Sequence, residues 1–364
     1  LQYILLISND CSFLHDILYP MKRKVYIGFS GGVDSSVSAQ LLRDKYDVTA
    51  VMFRNISNPE CSKPIEENAK RVAEYLNIPF KVVDFTQEFN EVVIKPFIKS
   101  YQEGKTPNPC VTCNIEFKFN KFAKWCFENG ADLIATGHYC QTENGHLYRG
   151  KDGQKDQSYF LNGVSSEILS KTLFPVGNLM KKDVRELANE FGLPNSSQRD
   201  SQEVCFINTS LDEYLKENIT PNAGDIVDID SKETVGKHIG IHSLTLGQRK
   251  GIHIGGTDQP YFVADKDIAN NIIYVAKGKY NPALWKDTFL LENFNVIHPD
   301  NRGMEGELTG MVRYRSKEVA CNVNWEKDTV KFSEKLWTPS IGQSLALYSK
   351  NECIGGGVIK DILQ

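Results

Sequence analysis

The sequence predicts an α/β domain built on a parallel sheet, followed by a small, mostly β central domain and a C-terminal β domain. Three observations point there. Strand-like apolar runs alternate with helical stretches as far as Thr136, short strands punctuated by glycine, asparagine and proline take over near Gly224, and no long helical periodicity follows. The chain has 364 residues, 41% hydrophobic and 24% charged, enough for two or three cored domains and unlike a disordered chain or a multi-span membrane protein. No apolar run approaches the roughly 18 to 20 residues that cross a bilayer.

In chain order, strands are expected at 25–29, 48–53, 80–85 and 133–136, with helices at 35–45, 64–77, 87–101 and 114–129 between them. The helix at 64–77 opens on Pro64 and puts Ala69, Val72, Ala73 and Leu76 on one face. A hairpin is expected at 139–149 around Asn144-Gly145, then a helix at 182–191 closed by Gly192. The boundaries read as an N-terminal extension at 1–21, the α/β domain at 22–215, a central β domain at 216–284 and a C-terminal β domain at 285–364. Residues 1–20 lack the basic start and cleavage site of a signal peptide, and Met21 followed by Lys-Arg-Lys reads as the natural start.

Forty-two basic against 46 acidic residues give a net charge of -4, so any nucleic-acid contact must come from local patches. Two are visible. The acid-free stretch 235–257 carries Lys237, Arg249, Lys250 and three of the seven histidines, and Arg313-Tyr314-Arg315 sets cations beside a ring that can stack on a base. Nine unevenly spaced cysteines are too sparse for a disulfide scaffold and indicate a reducing, cytoplasmic setting.

The string IGFSGGVDSS, Ile27 to Ser36, lies between the first strand and the first helix. Its glycine pair lets backbone N–H groups converge on an oxyanion, and the helix adds its positive end. Ser30, Ser35 and Ser36 can donate to phosphate, whereas Asp34 beside an anion implies a Mg²⁺ ligand or a helix cap. The string has neither the lysine and spacing of GxxxxGK[ST] nor GxGxxG. In TPNPCVTCN, Thr106 to Asn114, two prolines stiffen a loop and Cys113 directly precedes the expected helix, whose dipole should lower its thiol pKa. Cys126, Cys140, Cys321 and Cys353 lie in apolar or strand-like runs and read as structural.

SGGxDS resembles the PP-loop of the ATP pyrophosphatases, which have an adenine nucleotide alpha hydrolase-like fold and cleave ATP to AMP and pyrophosphate. Taken in order with TPNPxxxCN, ATGHY at Ala135–Tyr139, KDQSYFL at Lys155–Leu161, LFPVG at Leu173–Gly177, DSxxxCFI at Asp200–Ile207, TLGQRKG at Thr245–Gly251 and a C-terminal GQ, it resembles the bacterial tRNA-specific 2-thiouridylases (MnmA/TrmU family) over residues 22–360.

The resemblance implies a PP-loop domain with a helical tRNA-binding insertion, a central domain and a C-terminal β-barrel. ATP, with Mg²⁺, would lie against Gly28, Phe29, Ser30, Gly31, Gly32, Val33, Asp34, Ser35, Phe53 and Gly137. The tRNA, expected to be that for Lys, Glu or Gln, would meet Asn108, Pro109, Cys110, His138, Lys155, Asp156, Gln157, Arg313, Tyr314 and Gln343. Cys205 would carry a persulfide received from a cysteine desulfurase or sulfur-relay protein, and Cys113 would act as nucleophile, leaving a Cys113–Cys205 disulfide. Where the family commonly has Asp three residues before the first catalytic cysteine, this chain has Cys110. The resulting CxxC opens an alternative in which Cys110, Cys113 and Cys205 hold an iron–sulfur cluster. Another PP-loop activity, such as tRNA lysidine synthesis, and a noncatalytic tRNA binder are the competing readings.

Overall fold

A computed structural model describes residues 22–55, 59–200, 204–256, 258–304 and 306–363. The extension expected at 1–21 therefore lies outside the described residues, as does Cys11. The chain begins β1 (Lys24–Gly28), α1 (Val33–Leu42), β2 (Asp47–Arg54), α2 (Pro59–Tyr75) and β3 (Phe80–Asp84). Two long helices follow, α3 (86–102) and α4 (109–128), then β4 (Leu133–Ala135). The hairpin β5 (Cys140–Glu143) and β6 (His146–Arg149), the short β7 (Thr172–Leu173), α5 (Lys181–Glu190) and α6 (Leu211–Asn218) complete the first half.

The first sheet is parallel, in the order β3-β2-β1-β4-β7, so strand order reverses between β1 and β4. Alternation along β1 sends Val25 and Ile27 into a core with Val37, Val72 and Ala73, and Tyr26 into a second core with Phe85, Phe89, Phe117 and Phe122. Helix α4 starts five residues before the expected position because Asn108 caps it, its Oδ1 accepting from the N–H groups of Cys110 and Val111 at 3.2 and 3.3 Å, with Pro109 at the first helical position. Its middle, Cys113–Phe122, winds as a π-helix.

The central sheet holds β8 (Gly224–Asp228), β9 (Thr234–His238), β10 (Tyr261–Asp267) and β11 (Ile272–Lys277) in the order β10-β11-β8-β9. The expected boundary at 215/216 falls inside α6, whose Leu215 packs into the same core as Phe97 and Phe206. The C-terminal unit comprises β12 (Trp285–Val296), β13 (Leu308–Met311), β14 (Val319–Asn324), β15 (Thr329–Trp337), β16 (Ser344–Ser349) and β17 (Glu352–Ile362). They close into a six-stranded barrel through the β12–β17 pairing.

The hairpin β5–β6 departs from the expected division of the chain. It forms where expected but joins the barrel sheet, with Leu147 opposite Cys353 and Tyr148 opposite Glu352. The barrel thus holds the first domain through backbone pairing as well as side chains. At this seam the Arg149 guanidinium lies 3.6 Å over the Tyr348 ring and pairs with Asp156 (3.2 Å) and Glu318. The central domain adds Lys266, whose Nζ donates to Gly104 O (2.9 Å) beyond the end of α3 and whose pKa burial pushes down to about 8. Arg149→Met leaves the buried Asp156 carboxylate without a counter-charge, so stability should fall by about 3–5 kcal/mol. Breaking the exposed Lys317–Glu334 pair by Lys317→Met should cost no more than about 1 kcal/mol. Urea unfolding midpoints of the two variants check the contrast.

Candidate active site

The SGGVDSS loop leaves β1 at the strand-order reversal, and Gly137 leaves β4 beside it, which is where open parallel sheets hold ligands. Gly31 has φ +71, and a Cβ there would lie 2.7 Å from Ala69 Cα, so both backbone conformation and space require glycine. A Cβ on Gly137 would lie 3.0 Å from Asp34 C and Ser35 N, which brings the two loops into backbone contact. Gly32 caps α1 without side-chain help, leaving the first-turn N–H groups available to an anion. Ser35 and Ser36 hydroxyls donate to Gly32 O at 3.0 and 2.8 Å, and Ser30 Oγ lies 3.3 Å from Ser35 Oγ. Of the other residues expected at ATP, Phe29 and Val33 are buried, Gly28 ends β1, and Phe53 packs edge-on against Phe117 at 5.0 Å.

Sequence reasoning missed the residues that brace this loop. Buried Asn195 donates through Nδ2 to Gly31 O (2.7 Å) and Ser36 Oγ (2.9 Å), and Asn68 donates to the same carbonyl at 2.9 Å. Neither stands in a pattern that marks it. Lys181 is also new: its Nζ is 2.7 Å from Asp34 Oδ1 and 2.9 Å from Asp200 Oδ1, with only 12% of the side chain exposed. Asp34 is therefore an acceptor for Lys181 and for Tyr139 OH (2.7 Å), and it does not cap α1. Asp200, five residues before Cys205, also meets Lys155 at 3.1 Å and Arg185 at 2.5 Å. This cluster joins the glycine loop, the KDQ segment and the start of the Cys205 segment.

The thiols are less reactive at rest than the sequence suggests. Cys113 lies a full turn inside α4, away from the helix N-terminus, and is buried; desolvation outweighs the opposing Lys118 charge and pushes its pKa up to about 12. The expected dipole activation is thus overturned, because the NP cap moved the helix start. Burial also raises Cys110 and Cys205, although both reach the surface, and negative charge on Cys205 raises Cys110 and Cys113 further, so the three thiols are near enough to feel one another's charge. Asn55, just past β2, reaches Cys205 Sγ at 3.7 Å and sets it at the carboxyl edge of the sheet. Cys113 and Cys205 are free thiols, without the disulfide that the resemblance implies. Among the described residues no group of three Cys, His, Asp or Glu side chains is placed to hold a metal ion, Cys110, Cys113 and Cys205 included. Cys126, Cys140, Cys321 and Cys353 are buried and free.

Several residues expected at tRNA instead have their side chains engaged within the protein. Buried Asp156 accepts from Arg149, Gly150 N and Ser158, and Gln157 Oε1 accepts from Tyr139 N at 2.9 Å. Gln343 Nε2 donates to Thr106 O (2.7 Å) and so clamps the TPNPC loop to the barrel, beside Thr106 N to Ile341 O. His138 is buried with Nδ1 2.8 Å from Thr136 Oγ1, and burial keeps its pKa well below the usual value. Burial likewise lowers His238 and His242, so two of the three histidines in the basic stretch are buried and biased toward neutrality. Arg249, Lys250 and His253 are exposed there. Arg313 is exposed while donating to Trp337 O and Thr338 O, and Tyr314 packs on Phe160 at 4.4 Å. Asn108 spends its side chain on the helix cap, with Pro109 buried next to it.

The ion cluster carries a pH dependence. Burial draws the Asp200 pKa upward, but Lys181 and Lys155 outweigh it and hold the carboxyl at about 2. That is below the roughly 3.9 of an unfolded aspartate. The cluster therefore stabilises the fold at neutral pH, and this contribution is lost as pH falls from about 4 to about 2. The thermal midpoint of the wild type should drop more steeply through this window than that of Asp200→Asn, as scanning calorimetry across the pH series would read.

Comparisons with known proteins bear on the same residues. A family model described as tRNA methyl transferase HUP domain matches residues 23–209, a tRNA methyl transferase PRC-barrel domain matches 212–277, and an aminomethyltransferase beta-barrel domain matches 286–359. The tRNA-specific 2-thiouridylase MnmA of Nitrosomonas europaea is 40% identical over 356 residues, covering 93% of this chain and 98% of that protein. Its namesake from Chlamydia abortus is 39% identical over 357 residues with the same coverage, and that of Mycoplasmopsis synoviae 38% over 360 residues, covering 94% and 96%. Identity at this level along nearly the whole of each protein, together with the matching domain order, means that the chain belongs to the tRNA-specific 2-thiouridylase MnmA family.

Proposed function

We propose that this protein uses ATP to replace the 2-oxygen of the wobble uridine of tRNA with sulfur. The observation that supports the reading is that Cys113 and Cys205, on separate segments, lie near enough for charge on one to act on the other, while Asn55, just past β2, reaches Cys205 Sγ. A methyl transfer, which the domain descriptions name, has no need of paired thiols, and neither has lysidine synthesis or noncatalytic binding.

The uracil 2-carbonyl is a weak electrophile with a poor leaving group, so its oxygen must first be activated. That oxygen attacks the α-phosphorus of ATP and pyrophosphate departs; the N–H groups at the start of α1, with Gly31, Gly32 and Ser30, would hold the phosphates. Asp34 is the carboxylate of this loop, with 32% of its side chain exposed, and fits the Mg²⁺ that accompanies ATP and neutralises phosphate charge. The terminal sulfur of a Cys205 persulfide then attacks C2, and AMP leaves. Cys113 thiolate attacks the Cys205 sulfur, so a Cys113–Cys205 disulfide forms, the S–S bond to the outer sulfur breaks, and that sulfur keeps the electron pair and stays on C2 as the thiocarbonyl. A two-electron reductant restores both thiols. In an equivalent route Cys113 releases hydrosulfide from the persulfide before C2 is attacked.

The uridine must leave its stack to reach this edge, where Asn108, Pro109 and Cys110 border Cys113. Lys155, His138, Arg313 and Tyr314 belong to the same tRNA-facing proposal, while Asp156, Gln157 and Gln343 act by shaping the loops. The persulfide would come from a cysteine desulfurase or sulfur-relay protein, the tRNAs would be those for Lys, Glu and Gln, and the reaction would be cytoplasmic. Among the described residues no helix is long and apolar enough to cross a membrane.

Incubation with tRNA, ATP and a sulfide source should yield 2-thiouridine on nucleoside mass spectrometry, with pyrophosphate release that depends on tRNA. Cys113→Ser and Cys205→Ser should each abolish the product, and Cys126→Ser should keep it near wild type. Thiolation by either of the first two contradicts the assignment.

A further inference from the structure

Lys118 takes no part in adenylation or sulfur transfer as proposed above, yet its charge reaches all three thiols. It is half-buried on α4, and its neighbours in sequence, Phe117 and Phe119, are buried. Among the described residues no carboxylate pairs with it and it has no hydrogen bond. With no acid partner, its charge is left to act on other groups nearby.

The winding of the helix decides what that group is. With α-helical turns, a residue five positions on lies about 140° around the axis from Cys113. Between Cys113 and Phe122 the helix is π-wound, with bonds from i to i+5 and wider turns, so Lys118 lies just over one turn beyond Cys113 and much closer to its face than α-winding would put it. Cys110, three residues before Cys113, is on that face as well. The Lys118 charge acts on Cys110, Cys113, Cys205 and His138, the titratable groups around it. His138 is buried and disfavours its cationic form, so Lys118 supplies the positive charge of this space.

We infer that Lys118 is the positioning cation of the sulfur-transfer step, placed by the π-helix to stabilise anionic sulfur as it develops on Cys205 and Cys113. The need is physical: burial opposes every thiolate here, and each step of the transfer passes through one. This inference rests on the thiolation reading for its role in turnover, but its electrostatic content concerns the free thiols alone.

The experiment measures alkylation of Cys205 and Cys110 by iodoacetamide as a function of pH, resolved by peptide mass spectrometry, on the full chain without tRNA or ATP. Lys118→Met and Lys118→Gln should move both alkylation midpoints up by about one pH unit, and Lys118→Arg should leave them near wild type. Thiolation by the two neutral variants should fall about tenfold at neutral pH and recover as pH rises, because a one-unit shift is about a tenfold loss of thiolate. Unchanged alkylation profiles in a folded neutral variant overturn the inference, even where thiolation is lost, since that pattern belongs to a structural lysine. If the wild type forms no 2-thiouridine, the thiolation reading fails, while the alkylation profiles still decide what Lys118 does.

Discussion

The site depends on one constraint of topology. In a parallel sheet ordered β3-β2-β1-β4-β7, the segments leaving β1 and β4 diverge and open a crevice between them. The glycine loop occupies one wall and Gly137 the other, so close that a Cβ on Gly137 would crowd Asp34 and Ser35, while Gly31 lies against Ala69 of α2. Asn195 and Asn68 fix the loop from behind through a single carbonyl, that of Gly31. An anion cradle made of backbone must be rigid, because its donors cannot be re-aimed by rotamer changes.

Around this crevice the chain assembles charges from distant segments. Lys181 bridges Asp34 of the loop and Asp200 of the Cys205 segment, and Lys155 and Arg185 complete the neutralisation of Asp200. An occupant of the cradle that draws Lys181 toward phosphate would weaken its hold on Asp200. Lys181 thus links the glycine loop to the start of the Cys205 segment. The barrel contributes from the other side, with Gln343 and Ile341 fastening Thr106 at the start of the loop that precedes Cys113.

The thiols show how burial and reactivity are balanced. Desolvation raises Cys110, Cys113 and Cys205 and so withholds the thiolate that sulfur transfer needs. A single half-buried lysine on a π-wound helix is positioned to shift that balance locally.

By itself the sequence determined the parallel sheet, its alternation with helices, the later change to β structure and the two motifs that matter most, SGGVDSS and NPCVTC. These are local: hydrophobic period, glycine pairs and prolines act over a few residues, and the hairpin at Asn144-Gly145 formed where its turn residues demand. What only the tertiary structure decided is which distant groups meet. The hairpin's pairing with β17, the engagement of Asp156, Gln157 and Gln343 inside the protein, and the burial of His138, His238 and His242 depend on surfaces that no single segment encodes. The Cys113 environment marks the division most clearly. The Asn-Pro cap that moved its helix start was present in the sequence, but desolvation is a property of everything packed around a group, and here it outweighs the local dipole.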